Sequence, residues 1–147
     1  MSAPLRTYSP DQISVVIGDR PITGFAEGET INVERLNDTF TDVSGMSGEV
    51  ARTRSNDKRG EVTLTLMQTS PDNEYLSGLA AEDEATGTST FNILIRDQGG
   101  ESLHEAESAW ILKPATAAYG KEQTDREWVI RCANLGTTLG GNKSSEA

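Results

Sequence analysis

Histidine is the side chain best suited to moving protons near neutral pH, and this 147-residue sequence has one, His104. With Glu105 and Glu107 beside it, His104 has the makings of a general base. The same position in a strand-like stretch (Ser102, Leu103) is that of a surface histidine, and that is the reading taken. Zinc needs His and Cys at defined spacing, and one of each, far apart, is not a site. The lone cysteine, Cys132, forms no intrachain disulfide and lies in the apolar run Trp128-Val129-Ile130-Arg131-Cys132-Ala133. That is the setting of a buried, inert thiol and not of a nucleophile. The densest acidic group, Glu82-Asp83-Glu84, lacks the alternating acids and glycine of a calcium loop and reads as a solvated turn. Thr86-Gly87-Thr88 and Gly140-Gly141-Asn142-Lys143 match neither a P-loop nor a dinucleotide fingerprint. There is no Gly-x-Ser-x-Gly elbow. A carboxylate pair is the one catalytic arrangement left open by a chain with 23 acids. No catalytic residue, metal ligand or cofactor is assigned.

The remaining chemistry is electrostatic. The formal charge is −10, which disfavours gripping nucleic acid, since that needs cations to displace phosphate counterions. One local reversal of sign stands out, at Arg52, Arg54, Lys58 and Arg59. It carries no interleaved aromatic residues for stacking bases. Two readings follow: a solvated loop balanced by Asp57 and Glu61, or a positive seam lying on the negative surface of another copy, where complementarity sets register.

The elements that would position these groups are mostly strands, because the apolar pattern has period two. Ile13 to Ile17 is a β-branched run closed by Gly18-Asp19, with Ile22 to Phe25 as its return strand and Thr30 to Glu34 as a third segment. Glu61 to Met67 alternates most clearly, with Val62, Leu64 and Leu66 inward and Thr63 and Thr65 outward. Ser70-Pro71 opens one short helix to about Ala81, since Ser suits the N-cap, Pro the first helical position and Asp72 the first turn. Thr90 to Arg96, Ser102 to Lys113 and Arg126 to Leu135 complete about seven strands. Residues 35–60 break the pattern: Phe40, Val43, Met46 and Val50 are too irregular for an amphipathic helix. Structureless stretches of that length are functional or ordered by a partner, so 35–60 is expected to be a projecting β-hairpin or loop arm. Residues 136–147 are expected to be a flexible tail. The amino-terminal residues show no apolar run of a secretory signal, and no stretch is long enough to span a membrane. Assembly in a reducing cytoplasm, with no membrane partner, is the expectation.

These segments taken in order resemble the tail tube subunits of contractile-tailed phages. The resemblance rests on Ile13-Ser14-Val15, the long arm, and Arg54-Ser55-Asn56-Asp57-Lys58-Arg59-Gly60 running into Val62-Thr63-Leu64-Thr65-Leu66. It continues through Gln68-Thr69-Ser70-Pro71-Asn73 to the closing Trp128 to Ala133 and Gly140-Gly141-Asn142, covering most of residues 11–142. It implies a single domain over 1–147: a mainly β, antiparallel sandwich or small barrel with one flanking α-helix and the arm. It implies a structural, non-enzymatic subunit of a virion tail, assembled in the host cytoplasm. Its partners would be other copies of itself in hexameric rings that stack, together with sheath, baseplate and tail-terminator proteins. DNA would pass without specific binding through an acidic lumen. On that reading Phe40, Val43, Met46, Val50, Arg52, Arg54, Lys58 and Arg59 form the inter-subunit arm, Thr63, Thr65 and Asn92 are candidates for the lumen, and the tail joins rings. The secretion-tube proteins of the haemolysin-coregulated type share the expected fold, so a secretion-system tube or other phage ring protein is the alternative. A monomeric β-sandwich binding module is the second; it would gather its aromatic residues, whereas Tyr8, Tyr75, Trp110, Tyr119 and Trp128 are scattered.

Overall fold

The computed structural model of the chain describes residues 5–28 and 30–142. Ten strands and one helix follow in order: β1 (Ile13–Ile17), β2 (Arg20–Pro21), β3 (Ile31–Arg35), β4 (Phe40–Ser44), β5 (Val50–Arg54), β6 (Gly60–Leu66), α1 (Asp72–Thr86), β7 (Phe91–Asp97), β8 (Leu103–Ile111), β9 (Arg126–Cys132) and β10 (Gly136–Thr138). The main sheet is antiparallel in the order β2-β1-β7-β8-β9-β6-β3, with β10 added to β8. β8 is the corner strand. Leu103 to Ala106 pair with β7, and Leu103 to Glu105 also take β10, whereas Ala109 to Ile111 pair with β9. A bulge between Phe91 and Ile93 lets the sheet turn over there. The result is a mainly β sandwich with one helix at its flank, the architecture that the family resemblance implies, built largely from the strands that the alternating pattern predicts.

The alternation places the core. β6 and β9 bury every second residue: Val62, Leu64 and Leu66 meet Trp128, Ile130 and Cys132, and the opposite layer supplies Val15, Ile17, Ile93 and Ile95. Each such side chain contributes on the order of 1.5–3 kcal/mol by leaving water. Gly60 begins β6 because a Cβ there would lie 2.6 Å from that of Leu135. Only a bare Cα lets Leu135 close over this end of the sheet.

The helix starts as expected but runs further. Pro71 already has helical angles (φ −66°, ψ −18°), and Ser70 Oγ accepts the Asp72 N–H at 3.3 Å. Instead of stopping near Ala81, α1 continues through Glu82-Asp83-Glu84 to Thr86 and ends at left-handed Gly87 (φ 71°). Acids at a helix carboxyl end cost only about 0.3–1 kcal/mol each when solvated, too little to overrule a glycine C-cap.

Two further expectations are corrected. The return strand is Arg20–Pro21 and not Ile22 to Phe25, because Gly18 in the left-handed region (φ 62°) closes a two-residue turn and Ile22 then drops into the core. Residues 136–142 of the expected flexible tail are tied to the sheet: Gly136, Thr137 and Thr138 pair with Glu105, His104 and Leu103, and Asn142 bridges Gly100. Residues 143–147 of that tail lie outside the described residues.

Candidate functional site

Between β3 and β6 the chain leaves the sandwich. β4 and β5 pair only with each other, in the register Phe40↔Arg54, Asp42↔Arg52 and Ser44↔Val50. The Ser55 N–H donates to Thr39 O at 2.7 Å at the root. The tip closes with Gly48 N–H to Gly45 O at 3.1 Å, and Gly48 (φ 83°) supplies the left-handed residue that such a loop requires. Every residue of both strands is exposed. Val43 is 68% exposed, Val50 69% and Met46, at the tip, fully so. A two-stranded hairpin alone in water is marginal. This one carries four apolar side chains, Phe40, Val43, Met46 and Val50, that its own chain does not cover.

The four cations expected in the arm separate into two pairs. Arg52 and Arg54 lie on the hairpin, on one face with Phe40, and the Arg52 guanidinium sits 4.3 Å above the Phe40 ring. Neither makes an ion pair among the described residues. Lys58 and Arg59 lie at the root, where Arg59 is held by Asp57 at 2.9 Å, and its side chain keeps the Asp57 carboxyl below the usual carboxylate range. The root is braced. Arg35 donates through Nη2 (2.8 Å) and Nε (3.1 Å) to Leu135 O, and the Leu135 N–H donates to Lys58 O at 2.8 Å.

Beside the root, β3 is the margin of the sheet. Thr65 N–H to Thr30 O and Leu36 N–H to Arg59 O fix the phase of its pairing with β6. Ile31, Val33 and Arg35 therefore direct their backbone groups outward. Among the described residues no backbone group meets them. An edge of this kind is a template for another strand.

The lumen candidates do not share one surface. Thr63 and Thr65 lie together on the outer face of the β3-β6-β9 layer, opposite Val129 and Glu127. Glu34, Glu61 and Arg131 share that face, with Arg131 Nη2 3.4 Å from Glu61 Oε2. Three carboxylates (Glu34, Glu61, Glu127) against one guanidinium leave it net negative by two. Asn92 is on β7 in the opposite layer, lining an open groove with Lys58, Arg35 and Glu105. Period two shows which residues of a strand share a face, not which layer the strand joins. Glu34, Glu61 and Glu127 carry the same signal in the sequence, each alternating with inward-facing neighbours on its strand.

The candidates for chemistry are dispersed. Half-buried His104 sets Nδ1 against the Thr137 hydroxyl, with its pKa lowered by burial and, among the described residues, no carboxylate hydrogen-bonded to the ring. Among the described residues no three His, Cys, Asp or Glu are placed to hold a metal ion. Burial pushes the Cys132 thiol up to about 11. A thiol that is not ionised does not react, so an aromatic disulfide reagent at pH 8 is expected to leave Cys132 intact in the native protein and to titrate one thiol per chain in denaturant. Rapid native reaction would contradict its burial.

Comparison with known proteins shows what this arrangement is similar to. Residues 13–140 match the family described as bacteriophage PhiTE tail tube protein. A relative from Pseudomonas phage KPP10, structural protein ORF10, is 31% identical over 151 residues, covering 97% of this chain and 87% of that protein. Among solved structures, the fold resembles a chain of the anti-feeding prophage tube-terminating cap (TM-score 0.64, 13% identity, 94% of this chain and 95% of that one). It also resembles the sheath/tube terminator of the extracellular contractile injection system PVC (0.64, 14%, 93% and 100%). A third likeness is to a chain of the PVC sheath-tube complex in its extended state (0.59, 15%, 90% and 91%).

Proposed function

This chain belongs to the bacteriophage PhiTE tail tube protein family, a structural family of the virion tail, and from that premise we propose that its copies close into hexameric rings that stack as the inner tube of a contractile tail. The observation that carries the reading is the hairpin of β4 and β5, exposed on both faces and bearing apolar side chains that its own chain leaves in water. Ring closure is the proposed use of the β3 edge, which a strand from a sister copy would complete. Closure of this kind removes the hazard of an open margin. Sheath, baseplate and terminator proteins are the proposed outer and end partners. Residues 1–147 act as one tail-tube domain, with 35–60 joining copies and the carboxyl-terminal tail contacting the next ring.

In this reading the Thr63 and Thr65 face, with Glu34, Glu61 and Glu127, lines the conduit for DNA. Carboxylates repel phosphate, but salt confines the effect to about 8 Å. The wall is then a surface to which DNA does not stick and not a long-range pump. Asn92, in the other layer, faces away from the conduit.

Negative-stain images of the purified protein test the proposal. Stacked rings of constant diameter are expected. Particles that remain monomeric at high concentration would overturn it. Single rings that never stack would also overturn it, and would favour a capping role of the kind named for the two terminator neighbours.

A further inference from the structure

α1 and β8 leave a groove between them on the flank of the sandwich. It is open, about 450 Å³, with Ala80, Asp83 and Glu84 on one wall and Trp110, Leu112 and Pro114 on the other. The wall from the end of β8 is apolar, with Leu112 exposed and Trp110 half-buried; they lie beside Val129 and Arg131 at the β8 margin of the outer face, past the last β7 pairing at Ala109. The helix wall is negative: α1 has no basic residue in its last turn, and its dipole adds to the acids there. Asp83 accepts the Ser89 N–H at 3.1 Å, whereas the Glu84 carboxylate has no hydrogen bond or ion pair among the described residues. Lys113 at the rim is the groove's own cation and pairs with neither.

The arm carries the matching surface. One face of the hairpin presents Val50, Arg52 and Arg54 along β5 with Phe40 and Asp42 opposite them, apolar groups and two guanidiniums against one carboxylate. Within one chain the arm remains exposed, and neither Arg52 nor Arg54 makes an ion pair among the described residues. The groove also lies away from the arm's root. Gly60 and Cys132 mark the root end of β6 and β9, and β8 runs from its pairing with Cys132 at Ala109 away from that end before departing at Leu112. Two complementary patches at different places on one chain make a head-to-tail contact, which closes into a ring where the rotation between copies allows it and otherwise propagates along a stack.

We propose that the arm of one copy seats in this groove on a second copy, with Arg52 and Arg54 against Asp83 and Glu84, and Phe40 and Val50 against Trp110 and Leu112. This rests on the tube reading above and names the surface that receives the arm.

Charge exchange tests it. The arm variant R52E/R54E and the groove variant D83N/E84K change exposed or half-exposed side chains, and the Asn keeps an acceptor for Ser89. The single variant E84K serves if the pair lowers helicity. Each reversal alone is expected to cut sedimentable polymer at least tenfold, and the chain carrying both is expected to recover half or more of the wild-type yield. A groove variant that forms normal tubes while the arm variant does not would overturn the inference and leave the tube reading standing. So would a combined chain no better than its parents, or a groove variant that loses only sheath binding, which would make the occupant another protein. Wild-type protein that forms no polymer would overturn both.

Discussion

Removal of residues 40–55 is expected to yield a folded monomer that forms no tubes. The two ends of the deleted segment are already neighbours, since Ser55 N–H donates to Thr39 O at 2.7 Å and Asn37 Nδ2 to Asp57 Oδ2 at 2.7 Å. Joining Thr39 to Asn56 therefore asks little of the root. None of the ten strand residues contributes to the core, and exposed positions usually change stability by less than about 0.5 kcal/mol. For a domain of this size the melting midpoint should move by no more than about 2–3 °C. Assembly should suffer far more. Phe40, Val43, Met46 and Val50 each stand to gain on the order of 1.5–3 kcal/mol if covered by another copy, before the costs of association. Sedimentation and micrographs give the readout: normal tubes from the deletion would remove the arm from the assembly altogether.

Loss of the Asp72 carboxylate should be the most destabilising single change outside the apolar core. Asp72 is buried, and its carboxylate accepts the Arg20 Nε–H at 2.7 Å, the Thr23 N–H at 2.7 Å and the Thr23 hydroxyl at 3.2 Å. It thereby ties the start of α1 to β2 and the chain after it, and Tyr75 OH donates to Ile17 O at the end of β1 at 3.0 Å. Asp72→Ala removes three hydrogen bonds to a charged, buried acceptor, while exposed Thr23 and half-exposed Arg20 turn their donors to water, a loss of about 2–3 kcal/mol. That corresponds to a fall of roughly 5–10 °C in melting midpoint. The dependence on pH has a definite sign. Burial pushes the Asp72 pKa up, but the Thr23 N–H, Arg20 and the Thr23 hydroxyl outweigh it, so the folded value lies below the ordinary 3.8. Its contribution is whole above the unfolded-state value and vanishes as pH falls through the folded one. Asp72→Asn should therefore flatten the decline in urea stability below about pH 4. An unchanged acid slope would show that the carboxylate is not held as the hydrogen bonds indicate.

The sequence by itself determined the long strands of the sandwich and the faces within them, though not the short β2 and β10. Val62, Leu64 and Leu66 alternate with Glu61, Thr63 and Thr65 because a strand is a local object whose period is set by backbone geometry. The start of α1 was legible for the same reason: Ser70, Pro71 and Asp72 act on peptide groups a few residues away. The arm was legible as an interruption, since Phe40, Val43, Met46 and Val50 obey no period that one surface could use. What required the tertiary structure was every relation between distant segments. No local rule states that β7 joins the layer opposite β6, so Thr63 and Asn92 look alike in sequence and lie on different faces. The pairing of Gly136 to Thr138 with Leu103 to Glu105 depends on a partner more than thirty residues away. The Asp72 site, the open margin of β3 and the separation of Arg52 and Arg54 from Lys58 and Arg59 arise likewise from chain folding. Local propensity follows from steric and hydrogen-bonding limits on neighbouring residues. Which surfaces meet, and which remain for another copy, is decided only once the whole core has closed.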